Sequence, residues 1–260
     1  MRRESLPQAK LEDIPSIIYN CSISTREQLQ EVCEIEKDSI RLVEILGYIK
    51  KISSYPAVYE KTKDGKLFEN YSEIEQLLSI YLHLFLEEEI LPPYFTTMIS
   101  KIIPCSKNSI YTKEQLSHDL GCRDLWSIEI LVDWFHSFSI TLSEHEPYRF
   151  STTKLSQLQL AAFLFLLKET YSKYAHRTKI VPVHKLRWKI KDSGLIKSDD
   201  EFENYLKKLL DLGLDVLFSP ASRRKVGYGL KSIPKSELIE ILSFPSYEDI
   251  DYKEVLSNFV

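Results

Sequence analysis

The stretches TREQL at residues 25–29 and TKEQL at residues 112–116 are near-copies of one another. In each a threonine stands three residues ahead of a glutamine, Thr25 before Gln28 and Thr112 before Gln115. A threonine in that place accepts a hydrogen bond from the third backbone N–H of a helix, and the glutamine reaches back to the threonine's own N–H. Both stretches therefore predict a helix start. The next segments are parallel too: the first helix gives way near Glu36 and Lys37 to DSIRLVEILGYIKKI, and the second breaks at Gly121 before RDLWSIEILVDWFHSF. Ile40, Val43, Leu46 and Ile49, and then Leu125, Ile128, Leu131 and Phe135, return at steps of three and four, the period of a helix with one buried face. Each unit reads as helix, short turn, helix, with those residues in its core.

A β-hairpin is expected after each helix pair. YPAVYEKTKDGKLFENY places a turn at Asp64-Gly65 between strand-like segments, and SITLSEHEPYRFS places one at residues 143–147. A third copy can be drawn further on, where Ser198 and Glu201 make another capping box and DEFENYLKKLLDL carries Phe202, Tyr205, Leu209 and Leu212 on one face until Gly213 ends the helix. LDVLF, a turn at residues 219–221 and KVGYGLK would be its hairpin. Between the copies, SEIEQLLSIYLHLFLEEEILPPYFTTMISKII and LSQLQLAAFLFLLKETYSKYA are too apolar for linkers bathed in water, and are expected to pack against the helix pairs. The acidic run at residues 87–89 reads as the solvated end of a helix, or else as a contact for a basic partner.

Helix, turn, helix, hairpin resembles the plan of the winged-helix superfamily, over residues 25–71, 107–152 and 176–232. The resemblance implies a mainly α fold with small β-hairpins, an α+β chain of tandem winged-helix units joined by helical segments. The expected domains are residues 1–104, 105–175 and 176–260, the last a basic unit with an acidic tail. Members of the superfamily act as DNA-binding regulators, as plasmid replication initiators with tandem winged helices, and as protein-interaction subunits, including partners of chromosome-condensing ATPases. The resemblance does not choose among these and carries no site residue over.

Composition narrows the classes. With 43% hydrophobic and 28% charged residues and only 7 Gly and 11 Pro in 260 residues, the chain is that of a folded, helix-rich protein. MRRESLPQAKLEDIPSIIYN has no apolar run before Glu12 and Asp13, and the longest such run, LAAFLFLL at residues 160–167, is eight residues. A membrane span needs about 20, so the expectation is an intracellular, cytoplasmic protein without a membrane segment, nucleoid-associated if it binds DNA. Cys21, Cys33, Cys105 and Cys122 form no C-x-x-C pair and read as buried thiols. The six histidines lack metal-binding spacing, and no phosphate-cradling or nucleophile-elbow glycine motif occurs, so no metal, cofactor or catalytic residue is expected. Carboxylates are plentiful, but a D…E-x-K nuclease pattern is too degenerate to count as a motif.

Charge points to a function class. Residues 171–231 hold 14 Lys and Arg against 7 Asp and Glu, a net +7 in a chain of net −4, which leaves −11 elsewhere. The cations gather at Lys185, Arg187, Lys189 and Lys191 in HKLRWKIK, and at Arg223, Arg224 and Lys225 in the third hairpin, near Tyr228 and Lys231. A strand would set the first four on one face; a helix, the reading preferred here, would use Val183, Leu186 and Ile190 as its core and spread them around the polar side, with Trp188 in the core. These nine residues are the candidate contacts to nucleic-acid backbone, double-stranded DNA first; the alternative is that the cations only solubilise the unit. The starts of the expected recognition helices carry Glu36-Lys37-Asp38, Arg123-Asp124 and Asp199-Asp200-Glu201, and carboxylates there repel phosphate. The expected function is a non-enzymatic adaptor that binds a protein partner, or itself, through residues 1–170 and nucleic acid through the third unit. A sequence-specific regulator or replication initiator, an accessory subunit of a nuclease, and a pure protein scaffold remain as alternatives.

Overall fold

The computed structural model describes residues 5–86, 90–105, 110–143, 145–175, 179–219 and 238–251. They form two compact units, one taking in the described residues up to Leu155 and the other those from Ser156 onward. Both are mainly helical, with small antiparallel sheets.

The first unit opens with α1 (Asp13–Asn20), β1 (Ile23–Thr25), α2 (Arg26–Cys33), α3 (Lys37–Ile45), β2 (Ile49–Ser54) and β3 (Ala57–Lys61). The third strand lies between the other two, in the order β1-β3-β2. Thr25 Oγ1 accepts the Gln28 N–H at 3.2 Å and Gln28 Oε1 accepts the Thr25 N–H at 2.8 Å, so the expected capping box opens α2. Two expectations fail here. Ile49 is not the last turn of a helix: α3 ends at Ile45 and Ile49 begins a strand, buried all the same. The hairpin turns at Tyr55-Pro56, and Asp64-Gly65 sits in a short helix, α4 (Lys63–Phe68). Gly65 answers to close approach and not to a turn, since a Cβ there would lie 2.1 Å from the Tyr48 carbonyl oxygen.

α5 (Glu73–Leu86), α6 (Tyr94–Thr97), a π-helical turn at Met98–Ile102 and α7 (Ile103–Cys105) come next, and the first connecting segment packs as expected. Tyr48 Oη lies 2.8 Å from Ser79 Oγ of α5, and His83 donates from Nδ1 to the Leu46 carbonyl at 2.7 Å. α8 (Lys113–Leu120) starts at the Thr112 capping box, and α9 (Leu125–Ser137) at Asp124. Phe95 stacks on Phe135 at 5.1 Å and Tyr81 meets Phe138 edge-on at 5.4 Å, which joins α5, α6 and α9 in one aromatic core. The expected second hairpin is reduced to two isolated bridges, Tyr111 with Tyr148 and Thr141 with Phe150. Leu125, assigned to the core stripe, is 43% exposed, while Ile128, Leu131 and Phe135 are buried. The acidic run at 87–89 lies outside the described residues.

α10 (Thr152–Ala175) leads into the second unit, its apolar run buried apart from a partly exposed Leu166. With it, β4 (Val181–Pro182), α11 (Val183–Asp192), α12 (Asp199–Asp211), β5 (Val216–Ser219) and β6 (Leu238–Ile241) repeat the order of the first six elements, again with the third strand central, β4-β6-β5. Ser198 caps α12 as expected. Phe163 of α10 stacks on Tyr205 at 5.1 Å and meets Phe202 edge-on at 5.6 Å. Leu212, another core assignment, is 37% exposed; Leu206 and Leu210 are buried in its stead. β5 pairs with β6, and the expected hairpin partner KVGYGLK, with most of its turn, lies outside the described residues. Of the four thiols, Cys21 and Cys122 are buried, Cys33 is half-buried and Cys105 is exposed, contrary to the reading of four buried thiols.

This packing has two testable outcomes. Gly65→Ala should lower the unfolding free energy by about 2 kcal/mol, the cost of forcing atoms into a filled backbone contact. A shift under about 0.5 kcal/mol in denaturant titration would mean that α4 yields freely. Burial, partly offset by the bond to Leu46 and by Asp64, holds the His83 imidazole below its ordinary pKa, so the unfolded chain takes up its proton first. His83 should therefore make stability fall as the pH drops from about 6.5. Unfolding curves between about pH 7.5 and pH 5 should show a shallower loss in His83→Gln.

Candidate functional site

α11 is a helix, so the strand reading of HKLRWKIK falls away, and Val183, Leu186 and Ile190 form its buried stripe as expected. The four candidate cations divide between two flanks. Arg187 and Lys191, one turn apart, face the acidic start of α12. The Arg187 guanidinium reaches Glu203 at 2.7 Å and Asp199 at 3.8 Å and lies over the Phe202 ring at 5.4 Å. Lys191 reaches Asp199 at 2.6 Å, and that contact holds the Asp199 carboxyl below its usual pKa. Their charge is answered within the unit. Lys185 lies over the Tyr174 ring at 5.1 Å, and Lys189 lies over Trp188 at 4.4 Å with Asp192 at 3.8 Å.

Trp188 corrects the sequence reading. Expected in the core, its indole is 60% exposed, on the same flank as Lys185 and Lys189. The default that large apolar residues are inside hides it; its position outside the 183, 186, 190 stripe is the available signal. The remaining candidates, Arg223, Arg224, Lys225, Tyr228 and Lys231, lie outside the described residues. From α11 through α12 there are 7 Lys and Arg against 6 Asp and Glu, so the helix pair is close to neutral. The excess charge of this region sits on either side of the pair.

The first unit holds a feature that sequence reasoning missed. α3 and α9, the second helices of the first two helix pairs, both pack on the N-terminal segment. Gln8 N–H donates to Asp38 of α3 at 3.3 Å, and Ser39 Oγ donates to Asp13 at 2.6 Å. Leu6 N–H donates to Ser127 of α9 at 2.9 Å, and the buried Trp134 indole N–H donates to the Ala9 carbonyl at 2.8 Å. Beside this segment lies a groove of about 340 Å³ lined by Asp13, Glu34, Glu36, Glu129 and Asp133 against Lys10, with Trp126, 62% exposed, on its wall. Burial and then the neighbouring Glu129 push the Asp133 carboxyl above its usual pKa, although His136 and Lys10 partly offset this. Glu129 is itself paired with Lys113.

Among the described residues no three His, Cys, Asp or Glu side chains gather as metal ligands, and no helix is long and apolar enough to cross a membrane. Comparison with known proteins finds no family model, no curated protein and no solved structure that matches the chain.

The Arg187 contacts predict a structural role. Arg187→Ala should lower the stability of the second unit by about 1–3 kcal/mol, because Glu203 is left without a charged partner. Arg187→Lys should restore only part of it, since one ammonium cannot fork between Glu203 and Asp199. Thermal unfolding of the two variants, compared with Lys185→Ala as a surface control, checks this.

Proposed function

We propose that this chain is a tandem winged-helix adaptor that reads no base sequence in the major groove. It holds a protein partner through residues 1–170 and touches nucleic-acid backbone through its third unit, the copy read at residues 176–232, which is part of the second compact unit. The observation that carries the reading is a repeated order: helix, strand, helix, helix, two strands, with the last strand between the other two. α1 to β3 and α10 to β6 keep to it in full. The segment from Tyr111 to Phe150 keeps to it in outline, its bridges linking Tyr148 to Tyr111 and Phe150 to Thr141. In a winged helix the second helix of the pair enters the major groove. α3 and α9 occupy that place, and their inward packing on the N-terminal segment, beside five carboxylates, suits contact with a basic protein surface better than contact with phosphate. In the third unit α12 begins with three acids, so backbone contact falls to Lys185 and Lys189 of α11 and to Arg223, Arg224, Lys225, Tyr228 and Lys231. The engagement of Arg187 and Lys191 within the unit favours one rival, a protein scaffold with no nucleic-acid role.

A salt titration of duplex DNA binding separates the two. The adaptor reading expects weak, sequence-blind binding whose log–log salt slope falls by about 0.9 for each phosphate no longer neutralised, thus by about 2 in Lys185→Ala/Lys189→Ala and by more in Arg223→Ala/Arg224→Ala/Lys225→Ala. Folded wild-type protein that binds nothing at low salt would leave the scaffold reading in place.

A further inference from the structure

We infer that the outer flank of α11 is a stacking site for single-stranded nucleic acid, with the Trp188 indole as the platform and Lys185 and Lys189 as its phosphate-facing cations. The inference rests on the reading that the third unit binds nucleic acid, and it names the strand state that the unit prefers.

Lys185, Trp188 and Lys189 stand at i, i+3 and i+4 and so share one helix face. Val183, Leu186 and Ile190 bury the opposite side, while Arg187 and Lys191 are taken up by the acids of α12. The outer flank differs from that inner one in two respects. Its cations lie over rings with little opposing charge, Lys185 over Tyr174 at 5.1 Å and Lys189 over Trp188 at 4.4 Å, whereas Arg187, also over a ring, is held by two carboxylates; the only carboxylate within ion-pair distance of either outer lysine, among the described residues, is Asp192 at 3.8 Å from Lys189. Its indole is 60% in water although the unit has a well-filled aromatic core in Phe163, Phe202 and Tyr205.

With the Lys189 ammonium over one face of a largely exposed indole and Lys185 on the same flank, the other face is a flat π-surface close to positive charge, which complements a base with its phosphate. A duplex cannot use that face, because its bases are stacked on each other and show only their edges in the grooves. An unpaired base shows its face, and every base has one, so stacking of this kind tolerates any sequence. That agrees with a protein whose groove-facing helices carry acids at their starts.

The full chain tests this by its own fluorescence. Of its three tryptophans, Trp134 is buried, and Trp126 and Trp188 are exposed. Oligothymidylate should quench the wild type and Trp126→Phe and leave Trp188→Phe unquenched. Trp188→Ala should bind oligothymidylate about tenfold more weakly, the worth of one base stack, with an unchanged thermal midpoint and unchanged affinity for duplex DNA. Lys185→Ala/Lys189→Ala should weaken both. Oligothymidylate affinity that does not depend on Trp188, in a chain that still binds duplex with the expected salt slope, would overturn the stacking site and leave the adaptor reading standing. Equal losses on duplex and single strand in Trp188→Ala would overturn the strand preference. Quenching of Trp188 by polyglutamate and not by oligothymidylate would reassign the face to an acidic protein. A wild type that binds neither nucleic acid overturns the inference and the reading beneath it together.

Discussion

A fully buried indole N–H must find an acceptor, and for Trp134 that acceptor is the backbone carbonyl of Ala9 at 2.8 Å. This requirement organises the first unit. It fixes the N-terminal segment across α9, and the same segment is tied to α3 through Gln8 with Asp38 and Asp13 with Ser39. Two helices that would each present an open face are thereby turned toward one strand of backbone. What remains open on α9 is Leu125 at its start and the stripe of Trp126, Asp133 and His136 around a half-buried Glu129, and on its far side Phe135 is already committed to the aromatic core. The acidic groove lies beside these contacts and shares Asp13 with them.

Electrostatics divides the second unit in a similar way. The basic character legible in its sequence is real as a total and misleading as a location. α11 and α12 nearly cancel, because the acids at the start of α12 suit both the positive end of a helix and the cations of the helix before it. Asp199 serves both purposes, which is why carboxylates at that position argue as well for internal pairing as against phosphate. A cation count by region cannot distinguish a lysine that meets a partner from one that does not; only the register of one helix on the other does.

Much of the fold was legible in the residues. Three capping boxes located α2, α8 and α12, since a reciprocal pair of hydrogen bonds is a local event that needs no tertiary help. The helix pairs and the connecting segments showed in the apolar period. The hairpins were less legible. Asp64-Gly65 carries the stronger turn signal, yet the glycine is there because Tyr48 passes too close for a side chain, while the actual turn uses Tyr55-Pro56. In the second repeat the strands are single bridges, too short to leave a period-two pattern. Of the candidate site, the four cations of α11 were found from sequence but not sorted, and Trp188 was placed inside because size and apolarity favour burial on average. Neither the groove nor the closure of α3 and α9 could be read, as the contacts on α9 join residues 121 and 125 positions apart and those on α3 residues 30 and 26 apart, beyond the reach of local pattern.

The central strand of the last sheet is held from outside the sheet. Tyr171 of α10 accepts the Ile241 N–H at 3.2 Å and donates its hydroxyl to the Lys179 carbonyl, so β6 is pinned to a helix as well as to β4 and β5. Its register is therefore set across the sheet as well as along it, so the sheet inherits part of its alignment from the long helix that precedes it in the chain.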